Sequence, residues 1–173
     1  IRHKDGSWRI LDTIGRNLLE DPHVGAIVFN SRDITDRREI ETERSQLAKA
    51  VEQATESIVI SDIDGKIIYV NSAFVNVSGY SREEVIGQNA RILKSGVQSA
   101  EYYRDMWTTL RAGEPWVGRF TNKRKNGTLY EEECAISPIK DAAGKVINFV
   151  AVKRDVTKEA ELEERLRQAQ KLE

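Results

Sequence analysis

The sequence predicts an α+β fold: a five-stranded antiparallel sheet with short helices on one face, flanked by amphipathic helices of coiled-coil type. Three observations predict it. A strand–turn–strand signal over 58–70 precedes a run of short capped helices, and three more strands follow up to residue 155. Polar helices with a heptad stripe lie on either side of that block. The chain also repeats itself. His3-Lys4-Asp5-Gly6-Ser7-Trp8 returns as Arg124-Lys125-Asn126-Gly127-Thr128-Leu129, and Ser31-Arg32-Asp33-Ile34-Thr35 returns as Lys153-Arg154-Asp155-Val156-Thr157. Gly6 and Gly127 are 121 positions apart and Asp33 and Asp155 are 122 apart, so a domain-sized unit is expected twice, the first time as its back half only.

Taken in order, residues 8–18 and 24–34 read as two strands, with Asp21-Pro22 at the turn. From Asp36 to about Glu56 a polar helix is expected. Ile40, Leu47, Val51 and Ala54 form its stripe, with Arg44 in the remaining slot, and Asp36 with Glu39 would make a capping box, or Thr35 the cap. Ile58–Ser61 and Lys66–Val70 pair as a hairpin across Asp64-Gly65. Short helices follow: one over Asn71–Ser78, a second opened by a capping box at Ser81-Arg82-Glu83-Glu84, and the longest from Ala100 to Ala112. Strands at 116–124, 128–138 and 146–155 close the unit across Asn126-Gly127 and Asp141–Gly144. Lys158 to Glu173 is again a charged helix, and its Leu162, Leu166 and Ala169 continue the stripe; Ile40 and Leu162 are 122 apart, the repeat's own offset. The expected division is 1–35, a two-stranded remnant; 36–56, a linker helix; 57–157, a complete domain; and 158–173, a C-terminal helix.

Composition narrows the function. A net charge of −1 with 32% charged residues gives no electrostatic case for a nucleic-acid partner. The single cysteine, Cys134, permits no internal disulfide and suits a reducing compartment, so the cytoplasm is expected. No apolar run approaches membrane-spanning length, and no membrane contact by these residues is expected. Glu83-Glu84 opens a helix, where acids suit the dipole, and Glu131-Glu132-Glu133 alternates faces along a strand. With no phosphate-binding glycine loop and no nucleophile elbow, catalysis is not expected here.

Asn71-Ser72-Ala73-Phe74, the stretch from Ser78-Gly79-Tyr80 to Ile86-Gly87, Lys125-Asn126-Gly127 and the closing Arg154-Asp155-Val156-Thr157 resemble the PAS, or sensory-box, family. The resemblance covers about residues 47–157 as a full domain and implies its fold. It also implies signal relay through Asp155 and Thr157, and through their copies Asp33 and Thr35.

Gly87-Gln88-Asn89-Ala90-Arg91-Ile92-Leu93-Lys94 resembles the flavin-cradling signature of the family's light sensors. Those place a cysteine where this chain has Ala90, so a photoadduct is excluded, and Cys134 lies on another strand. The resemblance implies a redox-type flavin site, FAD or FMN. Asn122 matches a ring-reading amide, Arg91 a phosphate contact, and Lys94 adds charge; the later amides fall at Glu132 and Lys153. Pro115-Trp116-Val117-Gly118 is similar to the corresponding stretch of redox-sensing, FAD-binding members. The candidate cofactor residues are therefore Asn89, Arg91, Lys94, Trp116, Asn122 and Glu132. Equally open are Trp116 and Trp107 as core, Asn89 as a turn holder, and Arg91 and Lys94 as surface charges. Residues 41–173 contain no histidine, which excludes imidazole-ligated haem, and His3 and His23 lack a metal constellation.

The ending Leu166–Glu173 resembles the lead-in to the phosphoacceptor helix of bacterial sensor histidine kinases. A homodimer through the flanking helices, with a kinase domain downstream, is the expectation. A ligand-free dimerisation spacer and the input domain of a diguanylate cyclase are the alternatives.

Overall fold

The computed structural model describes residues 1–171; Leu172 and Glu173, the end of the expected last helix, lie outside them. The chain divides into two compact units, residues 1–49 and 50–173.

In the first unit, β1 (Leu11–Leu18) and β2 (Ala26–Asp33) pair antiparallel as a two-stranded sheet. Trp8, expected within a strand, instead forms an isolated bridge with Arg2, because the Asp5-Gly6 turn ties that stretch to Arg2 and His3. The helix α1 (Thr35–Glu52) begins one residue before the expected Asp36 start. Its first turn is fixed from outside: Asp33 Oδ1 accepts from the Thr35 N–H at 2.9 Å and the Thr35 hydroxyl at 2.6 Å. It ends at Glu52, short of the expected Glu56, because Asn71 takes up the Val51 and Glu56 carbonyls.

The second unit holds β3 (Ser57–Asp62), β4 (Ile67–Val70), α2 (Ser72–Ser78), α3 (Arg82–Val85), a 3₁₀ turn (Ala90–Leu93), α4 (Ala100–Arg111), β5 (Trp116–Lys123), β6 (Leu129–Lys140), β7 (Val146–Asp155) and α5 (Thr157–Lys171). The five strands form one antiparallel sheet in the order β4-β3-β7-β6-β5. Local chemistry sets the punctuation. Asp62 Oδ1 accepts from the Asp64 and Lys66 N–H groups around Gly65, whose φ of +80° closes the hairpin. The capping box at Ser81 and Glu84 is present.

Asn71 is the rivet of the unit. It is fully buried, and its side chain accepts from Ile58 and Phe74 N–H groups while donating to Val51 and Glu56 carbonyls. All four of its hydrogen-bonding sites are used. Period-two alternation sends Val59, Phe120, Cys134, Phe149 and Ala151 to one sheet face, where α4 lays down Met106 and Leu110. That face is the core.

The recurring sequence segments build recurring bonds. In the first unit Ile10 N–H donates to Thr35 Oγ1 and Ile34 N–H to the Ile10 carbonyl, both at 2.9 Å. In the second, Glu131 N–H donates to Thr157 Oγ1 at 3.0 Å and Val156 N–H to the Glu131 carbonyl at 2.9 Å. The stripe residues Ile40, Leu47, Leu162 and Leu166 are all exposed on their helices. No helix among the described residues is long and apolar enough to cross a membrane.

Candidate functional site

A cavity of about 370 Å³ opens between the core face of the sheet, the 3₁₀ turn and α4. This is within the ordinary size of small-molecule sites, about 300–1,000 Å³. Val59, Leu93, Met106, Leu110, Phe120 and Phe149 give it apolar walls. Ser61, Asp64, Asn89, Arg91, Lys94, Asn122 and Lys153 supply polar lining, and Arg104 and Arg111 add exposed cations.

The structure brings four of the six expected cofactor residues to this cavity. Asn89 is also the N-cap of the 3₁₀ turn: its Oδ1 accepts from Arg91 N–H at 3.0 Å and its Nδ2 donates to the Asp64 carbonyl at 2.9 Å. Arg91 is exposed at the rim. Lys94 bridges by its backbone to Asn122, and its ammonium lies 3.6 Å from the centre of the Tyr103 ring. Asn122 is buried, and its amide donates to Glu132 Oε1 at 3.0 Å.

The other two stand back from the cavity. Glu132 does not line it but lies buried behind, bonded to two residues that do, Asn122 and Lys153. Trp116 does not line it either. It sits on the core face of β5, but six residues from Asn122, or about 20 Å along a strand. There its ring packs on Phe120 at 5.2 Å and edge-on to Tyr102 at 5.6 Å. Gly118 is glycine because any Cβ would collide with the Trp116 ring and the Tyr102 hydroxyl.

Lys153 is the buried cation of the site. Its side chain is 10% exposed and its ammonium lies 2.8 Å from Glu132 Oε1, itself 2% exposed. Burial alone would lower the lysine's pKa; the Glu132 carboxylate more than offsets this and lifts it above the ordinary value. Burial and Glu132 likewise push Tyr130 up, so it remains a phenol, and its hydroxyl lies 3.2 Å from Glu132 Oε2. Cys134 reaches the cavity from β6, and burial pushes its thiol up to about 11. The Tyr103 hydroxyl is buried without a protein partner, an unmet hydrogen bond at the cavity wall.

Sequence reading missed the Glu52 cluster and the Arg124 that joins the expected Asp155–Thr157 pair. Glu52, at the end of α1, accepts from Ser72 at 2.5 Å, Tyr69 at 2.8 Å and Arg82 at 2.8 Å. Those donors hold its carboxyl down to about 2. At the far end, Arg124 donates to Asp155 Oδ2 at 2.6 Å and to the Val77 carbonyl, and its guanidinium lies 4.4 Å from the Tyr130 ring centre. Asp155 Oδ1 accepts from the N–H and hydroxyl of Thr157. Burial raises the Asp155 pKa, but the Thr157 and Arg124 bonds outweigh it and leave it below the carboxylate range. In the first unit Asp33 and Thr35 make the same two bonds, while Arg9 stands at 3.8 Å from Asp33. None of these long-range partners shares a local motif; Tyr130, two residues before Glu132 on one strand face, is the only one that alternation flags.

The residues present fit a flavin in their apolar walls, rim cations and the open Tyr103 hydroxyl. Glu132 departs from that pattern, because it engages the Asn122 amide and the Lys153 ammonium itself. Among the described residues no group of three or more His, Cys, Asp or Glu is placed to hold a metal.

A sheet cupping a lined cavity, with a helix leaving from its central strand, defines a sensory α+β module. Residues 55–158 match the PAS domain family, and the chain belongs to it: it carries a signal-sensing PAS domain. A nitrogen fixation regulatory protein of Klebsiella oxytoca is 38% identical over 117 residues, covering 68% of this chain and 24% of that one. The solved LOV domain of a blue-light activated histidine kinase from Erythrobacter litoralis is 29% identical, with a TM-score of 0.57 over 61% of this chain and 99% of that one. An RNA-binding Light-Oxygen-Voltage receptor shares the fold, with a TM-score of 0.69, 24% identity, and coverage of 95% of this chain and 44% of that one. The chain spans about a quarter of the length of the first curated relatives it matches.

Proposed function

We propose that this chain is the sensory and transmission segment of a bacterial two-component sensor histidine kinase, with residues 1–35 the trailing half of a preceding PAS domain. The cavity takes a flavin, FAD or FMN, or a small molecule of similar shape. A change there shifts β5 and β7 and reaches α5 through Asp155 and Thr157, altering the pairing of dimeric helices. The observation that carries the reading is the cavity itself: apolar walls joined by the exposed cations Arg91, Lys94, Arg104 and Arg111 and by the buried Asn122 and Lys153. A histidine kinase LOV domain among the structural neighbours, and the Gln168-Ala169-Gln170-Lys171 wording of the last helix, support the kinase context. If bound, a flavin would supply the redox chemistry; Asn89, Arg91, Lys94, Asn122 and Lys153 would hold it. The cytoplasm is the compartment this reading implies.

The test is the visible spectrum of the freshly purified protein. Flavin bands that bleach with dithionite and return in air are expected; a featureless spectrum overturns the flavin.

One observation favours a second reading, a ligand-free dimerisation spacer. Glu132 already bonds both Asn122 and Lys153, so a protein carboxylate engages these two polar residues of the cavity without a guest.

A further inference from the structure

We infer that the cavity is wired to the root of α5 by a continuous line of side chains, Lys153, Glu132, Tyr130, Arg124 and Asp155, and that the ligand it answers to carries a hydrogen-bond-accepting or anionic edge against Lys153. The inference rests on the cavity being the sensing site.

Each link is a direct contact. Lys153 Nζ meets Glu132 Oε1 at 2.8 Å, and Glu132 Oε2 meets the Tyr130 hydroxyl at 3.2 Å. The Tyr130 ring carries the Arg124 guanidinium at 4.4 Å, and Arg124 meets Asp155 Oδ2 at 2.6 Å. Asp155 then holds Thr157, the first residue of α5. Glu132 and Tyr130 are both 2% exposed, so their bonds are poorly screened by solvent.

Lys153 is the one member that lines the cavity. An acceptor placed against it takes a second of the ammonium's three N–H groups and draws the ammonium toward the cavity, weakening its bond to Glu132. Glu132, released in part, leans on its remaining donors, Asn122 and Tyr130. Moving the Tyr130 ring changes the seat of Arg124, and Arg124 is what anchors Asp155 from the side opposite Thr157. An apolar ligand of equal size fills the cavity but leaves this line untouched.

A rival route exists along β7, where Lys153 and Asp155 are two residues apart in one strand. It makes no use of the Tyr130 hydroxyl. The deciding experiment records the Arg124 Nε–Hε signal and the Thr157 amide by NMR on the ¹⁵N-labelled 173-residue chain, with Glu132→Gln, Tyr130→Phe and both together.

Glu132→Gln is expected to move both signals and speed exchange of the first α5 amides about tenfold, the core amides of Val59 and Phe149 staying put. In the Tyr130→Phe background the same change should add nothing at Arg124 or Thr157. Unmoved signals in Glu132→Gln, or a full response persisting without the Tyr130 hydroxyl, would overturn the line. Should Glu132→Gln alone fail to fold because Lys153 is stranded, the Glu132→Gln, Lys153→Met double variant removes both charges and is read the same way. No ligand enters the measurement, so it stands or falls separately from the spectrum that tests the cavity.

Discussion

Asp155 Oδ1 accepts two hydrogen bonds from Thr157, one from its N–H at 3.0 Å and one from its hydroxyl at 2.5 Å. The same hydroxyl then accepts from the Glu131 N–H on the neighbouring strand at 3.0 Å. One threonine thus joins β6, the end of β7 and the start of α5. Asp155→Ala strips the helix start of its acceptor and frees Arg124. A loss of about 1–2 kcal/mol is expected in denaturant melts, as for other lost helix-start acceptors. In the full-length protein it should also uncouple stimulus from output; unchanged signalling would refute the relay.

Glu52 makes an acid-sensitive tie between the end of α1 and the β4, α2 and α3 segments. Its folded pKa of about 2 lies below the ordinary 4.5, held there by the Ser72, Tyr69 and Arg82 donors. The depressed value means its stabilisation is complete above pH 4.5 and is lost as pH falls through 2. The side chain is 34% exposed, so solvent screening trims the effect. Glu52→Gln should cost about 1 kcal/mol at pH 7. The two proteins' urea midpoints should converge as pH approaches 2, and parallel curves down to pH 2 would contradict the assignment.

Gly118 lies under the Trp116 indole and the Tyr102 hydroxyl, which is anchored to Arg119 through both its N–H and its carbonyl. Gly118→Ala should cost about 1–3 kcal/mol by overpacking. Adding Trp116→Ala should restore part of that loss, because the ring is what the new methyl meets. A cycle with no coupling between the two positions would show that Trp116 is not the obstacle.

Cys134 faces the cavity as a thiol, its pKa pushed up to about 11 by burial. At pH 8 its thiolate fraction is roughly 100-fold below that of an unperturbed cysteine. Reaction with a thiol reagent at pH 8 should therefore be slower than in urea by at least that factor. A native-state rate matching the unfolded one would place the thiol in water instead.

How much of this was legible follows from the range of each interaction. The α+β class, the hairpin across Asp64-Gly65 and the Ser81–Glu84 capping box are written in neighbouring residues, and sequence reading found them. Asn89, Arg91 and Lys94 share one short turn, so one motif delivers them together. Trp116 shows where such reading stops: alternation gives the face of a strand but not which end of it meets the cavity. Glu52 and Arg82 are 30 residues apart, and Arg124 and Asp155 are 31 apart. Such pairs become visible only when the sheet closes. The resemblance to the flavin signature put Glu132 and Lys153 at its later amide positions, yet gave no sign that the two pair with each other, 21 residues apart.

Ser57, the first residue of β3, lies opposite Lys153, two residues short of the end of β7. The backbone thus comes into the sheet and departs from it at one end, on adjacent strands. A module threaded this way can be inserted into a string, duplicated or deleted by recombination without rerouting what lies on either side. Residues that recur in this chain keep a nearly constant interval, as Gly6 does from Gly127 and Asp33 from Asp155.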